Sequence, residues 1–144
     1  MDKEIVRQTG KTIPEIFEQH GEKYFRDLET QFLQNFKNDY CIISTGGGVT
    51  MRKENRKIMR NTGLVMFLDA PFREIWRRIH RDPNRPIVRQ STREEIEALH
   101  KARYRDYKQT AHITIRTEFR TLRQITHYAA FQVNRLKSER FDFN

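Results

Sequence analysis

The chain has 144 residues, room for one folding domain, and its 36% hydrophobic content is modest but sufficient for a single core. Lysine and arginine number 28 against 19 acidic residues, and the balance of +9 favours anionic partners such as nucleotides, phosphorylated metabolites or nucleic acid without choosing among them. No run approaches the roughly 18 apolar residues of a membrane span, Met1-Asp2-Lys3-Glu4 does not open a secretory signal, and the one cysteine, Cys41, has no intrachain partner, so a reducing, cytoplasmic setting is expected.

In chain order, residues 2–8 read as a short polar helix stopped by Gly10, with Asp2 taken alone as its N-cap. Thr12-Ile-Pro-Glu15 has the Ser/Thr-x-x-Glu spacing of a capping box with proline in the first turn, so a second helix starts there and ends near Gly21. A longer helix follows. Tyr24, Phe25, Leu28, Phe32, Leu33 and Phe36 recur at three- and four-residue intervals and place an aromatic stripe against the core. Tyr40–Thr45 and Leu64–Leu68 are continuous apolar runs of strand length, expected to be covered on both faces as in a parallel sheet, with Cys41 buried in the first.

Between those runs, Arg52–Arg60 makes a basic helix closing at Gly63. Asp69-Ala-Pro71 breaks the chain, and Phe72–His80 reads as helix with Ile75, Trp76 and Ile79 on its inner side. The stretch RDPNRPIVRQ, residues 81–90, predicts an exposed loop. Ser91 and Glu94 are spaced as a further capping box that opens a helix to about Lys108. His112–Ile115 supplies a last strand and Thr121–Leu136 a last amphipathic helix, so a single domain spans 1–137 and a disordered tail 138–144. Strands alternating with helices point to an α/β fold with a parallel sheet.

Two glycine features bear on function. A phosphate-cradling loop needs G-x-x-x-x-G-K-[ST], and Gly10-Lys11-Thr12 supplies its last three residues; Ile5 stands where the first glycine belongs, in polar helix instead of after a buried strand. Thr45-Gly46-Gly47-Gly48 lacks both the lysine and the spacing. Following an apolar run, these glycines suit either a tight turn or a close approach of ligand to backbone at the carboxyl end of a strand.

Taken together and in order, Asp2 with RQTGKTIPEIFEQHGEKYFRDLE, then STGGG, LVMFLDAP, NRPI and Arg103 followed by Tyr107 resemble shikimate kinase over nearly the whole chain. The resemblance implies a P-loop kinase-like three-layer fold with a parallel sheet, and transfer of a phosphoryl group from ATP, with Mg2+, to the 3-hydroxyl of shikimate in chorismate and aromatic amino acid synthesis. It implies that Asp2 hydrogen-bonds the reacting hydroxyl and takes its proton, that Arg26 and Arg103 grip the substrate carboxylate, that Glu29 steadies the site, and that Gly47 and Gly48 approach the ring. Arg85 corresponds to a lid arginine on a segment of about 81–92 that reaches the transferring phosphoryl group, and Arg120 to an arginine packing on adenine. Planar guanidinium groups suit a carboxylate because they bind it bidentately.

The resemblance begins at Asp2, so the family's first two strands, first helix, P-loop and magnesium-linked aspartate lie outside it; we expect a fragment or an incomplete gene, with no metal ligand of its own. Losing one preorganised donor to developing charge costs about 2.7–4 kcal/mol, and the chain alone is not expected to turn over ATP at a useful rate. In the family's strand order, 2-3-1-4-5, a missing central strand leaves a slot of roughly two 4.8 Å spacings between the runs holding Ile43 and Met66; these must close up or the slot be filled. Shikimate is the expected ligand, ATP a partner of the complete protein, and a monomer the expected state, with no membrane partner. Two alternatives stand beside this reading: a non-catalytic relative binding a carboxylate metabolite or partner protein, and a nucleic-acid module using Arg73, Arg77, Arg78, Arg81, Arg85 and Arg89.

Overall fold

Caps and glycines set most element ends in the computed structural model, in which residues 1–37 and 41–141 are described, the last five as backbone only. Helix α1, Asp2–Thr9, ends at Gly10 in the left-handed region (φ 66°), and Met1, not Asp2, occupies the N-cap position. Asp2 lies inside the first turn, where its charge favours the helix dipole without a capping bond. Helix α2, Ile13–Asn35, opens with the capping box Thr12/Glu15 and is interrupted at Gly21, whose φ of 78° and ψ of 173° are non-helical. Ile5, Ile13, Ile16 and Phe25 close a first core between α1 and α2.

Phe32 and Leu33 of α2 make a second core with Val49, and Phe36, Ile43, Ile58 and Met59 pack around it. The aromatic stripe is thus buried in its middle, whereas Tyr24 turns outward and is exposed. A short 3-10 turn, Val49–Met51, leads into α3, Lys53–Thr62. Strand β1, Met66–Asp69, is followed by α4, Phe72–Ile79, by the single turn α5, Pro86–Arg89, by α6, Arg93–Thr110, and by strand β2, Ile113–Arg116. Helix α7, Leu122–Phe141, runs past the expected end at Leu136, while 142–144 lie outside the described residues. The box that opens α6 is Thr92/Glu95, one residue beyond the expected Ser91/Glu94 pair.

β1 and β2 pair in parallel with Met66 opposite Ile113 and Asp69 opposite Arg116, and the helices between them form the crossover that parallel strands require. This two-stranded ribbon is the sheet found among the described residues. Cys41–Thr45, expected as a strand, is not assigned as one; Tyr40 lies outside the described residues. A strand exists only by virtue of a neighbour, and β1 pairs with β2, not with this run. The slot therefore does not close up. Ile43 still packs inward, but Ile42 is fully exposed and Cys41 is exposed too, not buried. Leu68 of β1 is 55% exposed, so the expected cover on both faces is missing there. The stretch 81–90 is not all loop: Pro86–Arg89 is helical and packs on α2.

Three arginines of the basic helix α3 and its N-cap reach neighbouring elements. Arg52 donates to Asp27 Oδ1 at 2.6 Å and to Thr30 Oγ1 at 3.1 Å on α2, Arg56 pairs with Asp106 of α6 at 3.2 Å, and Arg60 donates to the carbonyls of Gln109, Thr110 and Ala111 at the end of α6. Spaced four residues apart, these three share one face and brace α2 against α6. No helix among the described residues is long and apolar enough to cross a membrane.

Gly21 and Gly63 separate backbone strain from packing, because a Cβ at either would meet open space. Gly21→Ala forces an L residue into a left-handed φ and should lower stability by about 1–2 kcal/mol. Gly63→Ala, at an extended φ of −162°, should change it by less than about 0.5 kcal/mol. Urea unfolding of the two variants reads the difference, and equal midpoints would contradict the account of the interruption in α2.

Candidate functional site

The glycine corner lies where α1, α2 and α6 meet. A Cβ built on Gly46 would be 3.5 Å from Glu29 Oε1 and 3.6 Å from Asp2 Oδ1. One built on Gly47 would be 3.1 Å from the Tyr107 hydroxyl. One built on Gly48 would land on the Arg26 guanidinium carbon and both terminal nitrogens. Each glycine thus admits a different functional group to the backbone, and at Gly48 no side chain fits without expelling Arg26.

Helical spacing delivers the α2 groups. Glu22, Arg26 and Glu29 are four and three residues apart, so they share a face. Arg26 Nη1 donates to Glu29 Oε2 at 2.8 Å, while its Nη2 and Nε donate to Glu22 Oε1 at 2.8 and 3.1 Å. The Glu29 side chain is fully buried and that of Arg26 is 11% exposed. Burial pushes the Glu29 carboxyl above its ordinary 4.5, against the pull of Arg26; the Asp2 charge pushes the same way and Arg103 opposes it. For Arg26, burial works against the charge but is outweighed by Glu29 and Glu22, and its affinity for the proton rises.

Across the corner, α6 supplies Arg103 and Tyr107, four residues apart on one face. The Tyr107 hydroxyl donates to the Gly47 carbonyl at 2.7 Å. Arg103 Nη2 donates to the thioether of Met51 at 3.0 Å, and no carboxylate pairs with Arg103 among the described residues. Both guanidinium charges act on Glu29 or on the Tyr107 phenol, whose pKa is raised by burial in spite of them. Three buried polar atoms here have no hydrogen-bond partner among the described residues: the acceptors Asp2 Oδ1 and Glu29 Oε1, and the donor Arg103 Nε.

Asp2, Arg26, Glu29, Gly47, Gly48 and Arg103 are therefore together. Arg85 and Arg120 are not with them: Arg85, at the start of α5, pairs with Asp82 at 3.3 Å, and Arg120 is exposed with its guanidinium 5.4 Å from the Tyr128 ring centre. Gly10-Lys11-Thr12 is the C-cap of α1 followed by the N-cap of α2, with Lys11 Nζ 3.0 Å from His20 Nε2. Sequence reasoning missed Glu22 and Tyr107 as members of the corner. The first was legible in its four-residue spacing from Arg26; the second needed the crossing of α6 over the corner. No cluster of three histidine, cysteine or acidic side chains able to hold a metal occurs among the described residues.

Glu29 reports on this electrostatic arrangement. Carbon-detected titration should place its carboxyl above 4.5, with Asp2→Asn moving it down and Arg103→Ala moving it further up. Shifts of opposite sign would mean that the three charges do not meet.

A family profile described as shikimate kinase matches residues 1–133. The shikimate kinase of Burkholderia thailandensis is 40% identical over 118 residues, covering 81% of this chain and 64% of that protein. That of Persephonella marina is 38% identical over 130 residues, 88% of this chain and 77% of the relative. Among solved structures, shikimate kinase from Acinetobacter baumannii in complex with shikimate superposes with a TM-score of 0.88 at 34% identity, over 94% of this chain and 77% of that one. Shikimate kinase from Aquifex aeolicus gives 0.79 at 30% identity, over 92% and 78%. The chain thus spans about two thirds of the length of the Burkholderia relatives, 64%, and more of the others. With a profile match over most of its residues, an α/β framework shared with these kinases and identities of 30–40%, the chain belongs to the shikimate kinase family.

Proposed function

We propose that the glycine corner binds shikimate, and that the chain supplies the acceptor side of a shikimate kinase reaction in the cytoplasm. The observation that carries this reading is the state of Arg103: a half-buried guanidinium facing a thioether, with a buried Nε unpartnered, opposite a second guanidinium backed by Gly48. Leaving a charged donor unpaired in a low-dielectric site is costly, and a ligand carboxylate removes that cost. The two unpartnered acceptors, Asp2 Oδ1 and Glu29 Oε1, match hydroxyl donors on the same ligand. A small ring bearing one carboxylate and several hydroxyls satisfies both requirements, as shikimate does.

In the reaction, the 3-hydroxyl oxygen forms a bond to the γ-phosphorus of ATP, the bond from that phosphorus to the β-phosphate oxygen breaks, and ADP leaves. The hydroxyl proton goes to the Asp2 carboxylate, whose buried Oδ1 has no partner among the described residues. Arg26 and Arg103 fix the ring through its carboxylate, so that one hydroxyl faces Asp2. Arg85, on the segment 81–92, is the group we assign to the transferring phosphoryl, and Arg120 with Tyr128 to the adenine. The motif G-x-x-x-x-G-K-[ST] does not occur in these 144 residues and no metal-holding cluster is found among the described ones, so no step is assigned to magnesium.

Titration calorimetry tests the pocket directly. Shikimate should bind the chain, and Arg26→Ala should weaken it by roughly 10- to 150-fold, the range for a hydrogen bond to a charged group. Absence of heat with both proteins would remove the reading.

A further inference from the structure

The two guanidinium groups stand on different helices, and the Tyr107–Gly47 hydrogen bond ties the helix of one to the glycines against which the other lies, beside a second tie from Arg103 to Met51, whose N–H donates to the Gly48 carbonyl. Arg103 and Tyr107 share a face of α6; the Tyr107 hydroxyl holds the Gly47 carbonyl at 2.7 Å; Gly48, the next residue, is the surface against which Arg26 is laid. Without that bond the Gly47 carbonyl loses the phenol as a partner, and the seating of α6 on the corner rests on the Met51 tie and on packing.

We propose that Tyr107 is a positioning residue that sets the spacing between the Arg26 and Arg103 guanidinium groups, and so the site's preference for a carboxylate over its neutral counterpart. This rests on the shikimate reading of the corner but concerns a residue to which that reading gives no task. The ring of Tyr107 is held independently of its hydroxyl, against Phe67 at 5.3 Å and near His100 at 6.5 Å between centres. The bond itself is short, and phenol and glycine are close enough that a Cβ on Gly47, 3.1 Å from the oxygen, would make the hydroxyl give by a few tenths of an ångström. A bidentate carboxylate contact depends on donor separation, whereas hydroxyl contacts to Asp2 and Glu29 do not involve α6.

Tyr107→Phe deletes the oxygen and keeps the ring. Binding of shikimate and of its methyl ester, which has the same ring without the charge, should be measured on the chain and on the variant, with thermal unfolding as control for the fold. Shikimate affinity should fall about 3- to 10-fold in the variant, in the range of one lost hydrogen bond, with ester affinity unchanged. Parallel losses for both ligands, or no loss for either, would overturn the proposal while leaving the pocket intact. A wild-type chain that binds neither ligand would instead remove the shikimate reading, and this proposal with it. Without any ligand, the Gly48 amide resonance should shift in the variant and the Arg26 Nε–H should exchange faster with solvent; unchanged signals would overturn the proposal independently of binding.

Discussion

The ion pair between Arg26 and the fully buried Glu29 is the contact on which the site depends. Moving two charges out of water costs several kcal/mol per ion, and mutual attraction offsets this only when further hydrogen bonds complete the pair. Here Glu22 completes the guanidinium from the solvent side, and the missing Cβ of Gly48 lets its plane lie against the corner. The backbone beneath is braced as well. Thr30 Oγ1 donates to the Arg26 carbonyl at 3.0 Å and accepts from Arg52, which also holds Asp27. A tripeptide of glycines and a basic helix, unremarkable separately, together keep one cation in place.

Net charge is a poor guide to partners in this chain for the same reason. Much of the excess of arginine is structural: Arg52, Arg56 and Arg60 tie α3 to α2 and α6, and Arg26 lies between two carboxylates. Of the six arginines considered for a nucleic-acid face, Arg78 and Arg85 are paired with Glu74 and Asp82. What distinguishes Arg103 is that it is partly withdrawn from water, pairs with no carboxylate among the described residues, and has a buried Nε without a partner among them, as have Asp2 Oδ1 and Glu29 Oε1. The informative quantity is thus the local mismatch between charge and its partners, not the total.

Local signals were legible where a few consecutive residues decide the outcome. Gly10 and Thr12/Glu15 fixed the ends of α1 and α2 because caps are short-range devices. At α6 the same rule pointed to Ser91 with Glu94, and the structure instead uses Thr92 with Glu95, one residue further on. The run through Ile43 read as a strand because apolar composition reports burial and extension, whereas a strand also needs a partner elsewhere in the chain. Gly46–Gly48 signalled close approach but not what approaches. Glu29, Arg26 and Tyr107 reach them from 17 to 60 residues away along the chain, as Tyr107 to Gly47 illustrates, and only packing of α2 and α6 determines that.

The corner also shows how a site coexists with marginal stability. Each buried unsatisfied polar atom costs about 1–3 kcal/mol against a typical total stability of about 5–15 kcal/mol. Three such atoms among the described residues are at Asp2, Glu29 and Arg103, and two more are at Thr50 and Asn55. The first three comprise two acceptors beside one cationic donor. Replacing all three by apolar groups would relieve the cost without any ligand, and the proposed shikimate, with hydroxyl donors and a carboxylate, would relieve it by completing them. The same logic places the apolar cores at a distance: Ile5, Ile16 and Phe25 carry the packing of α1 on α2, which leaves the polar face of α2 available to stay incompletely paired.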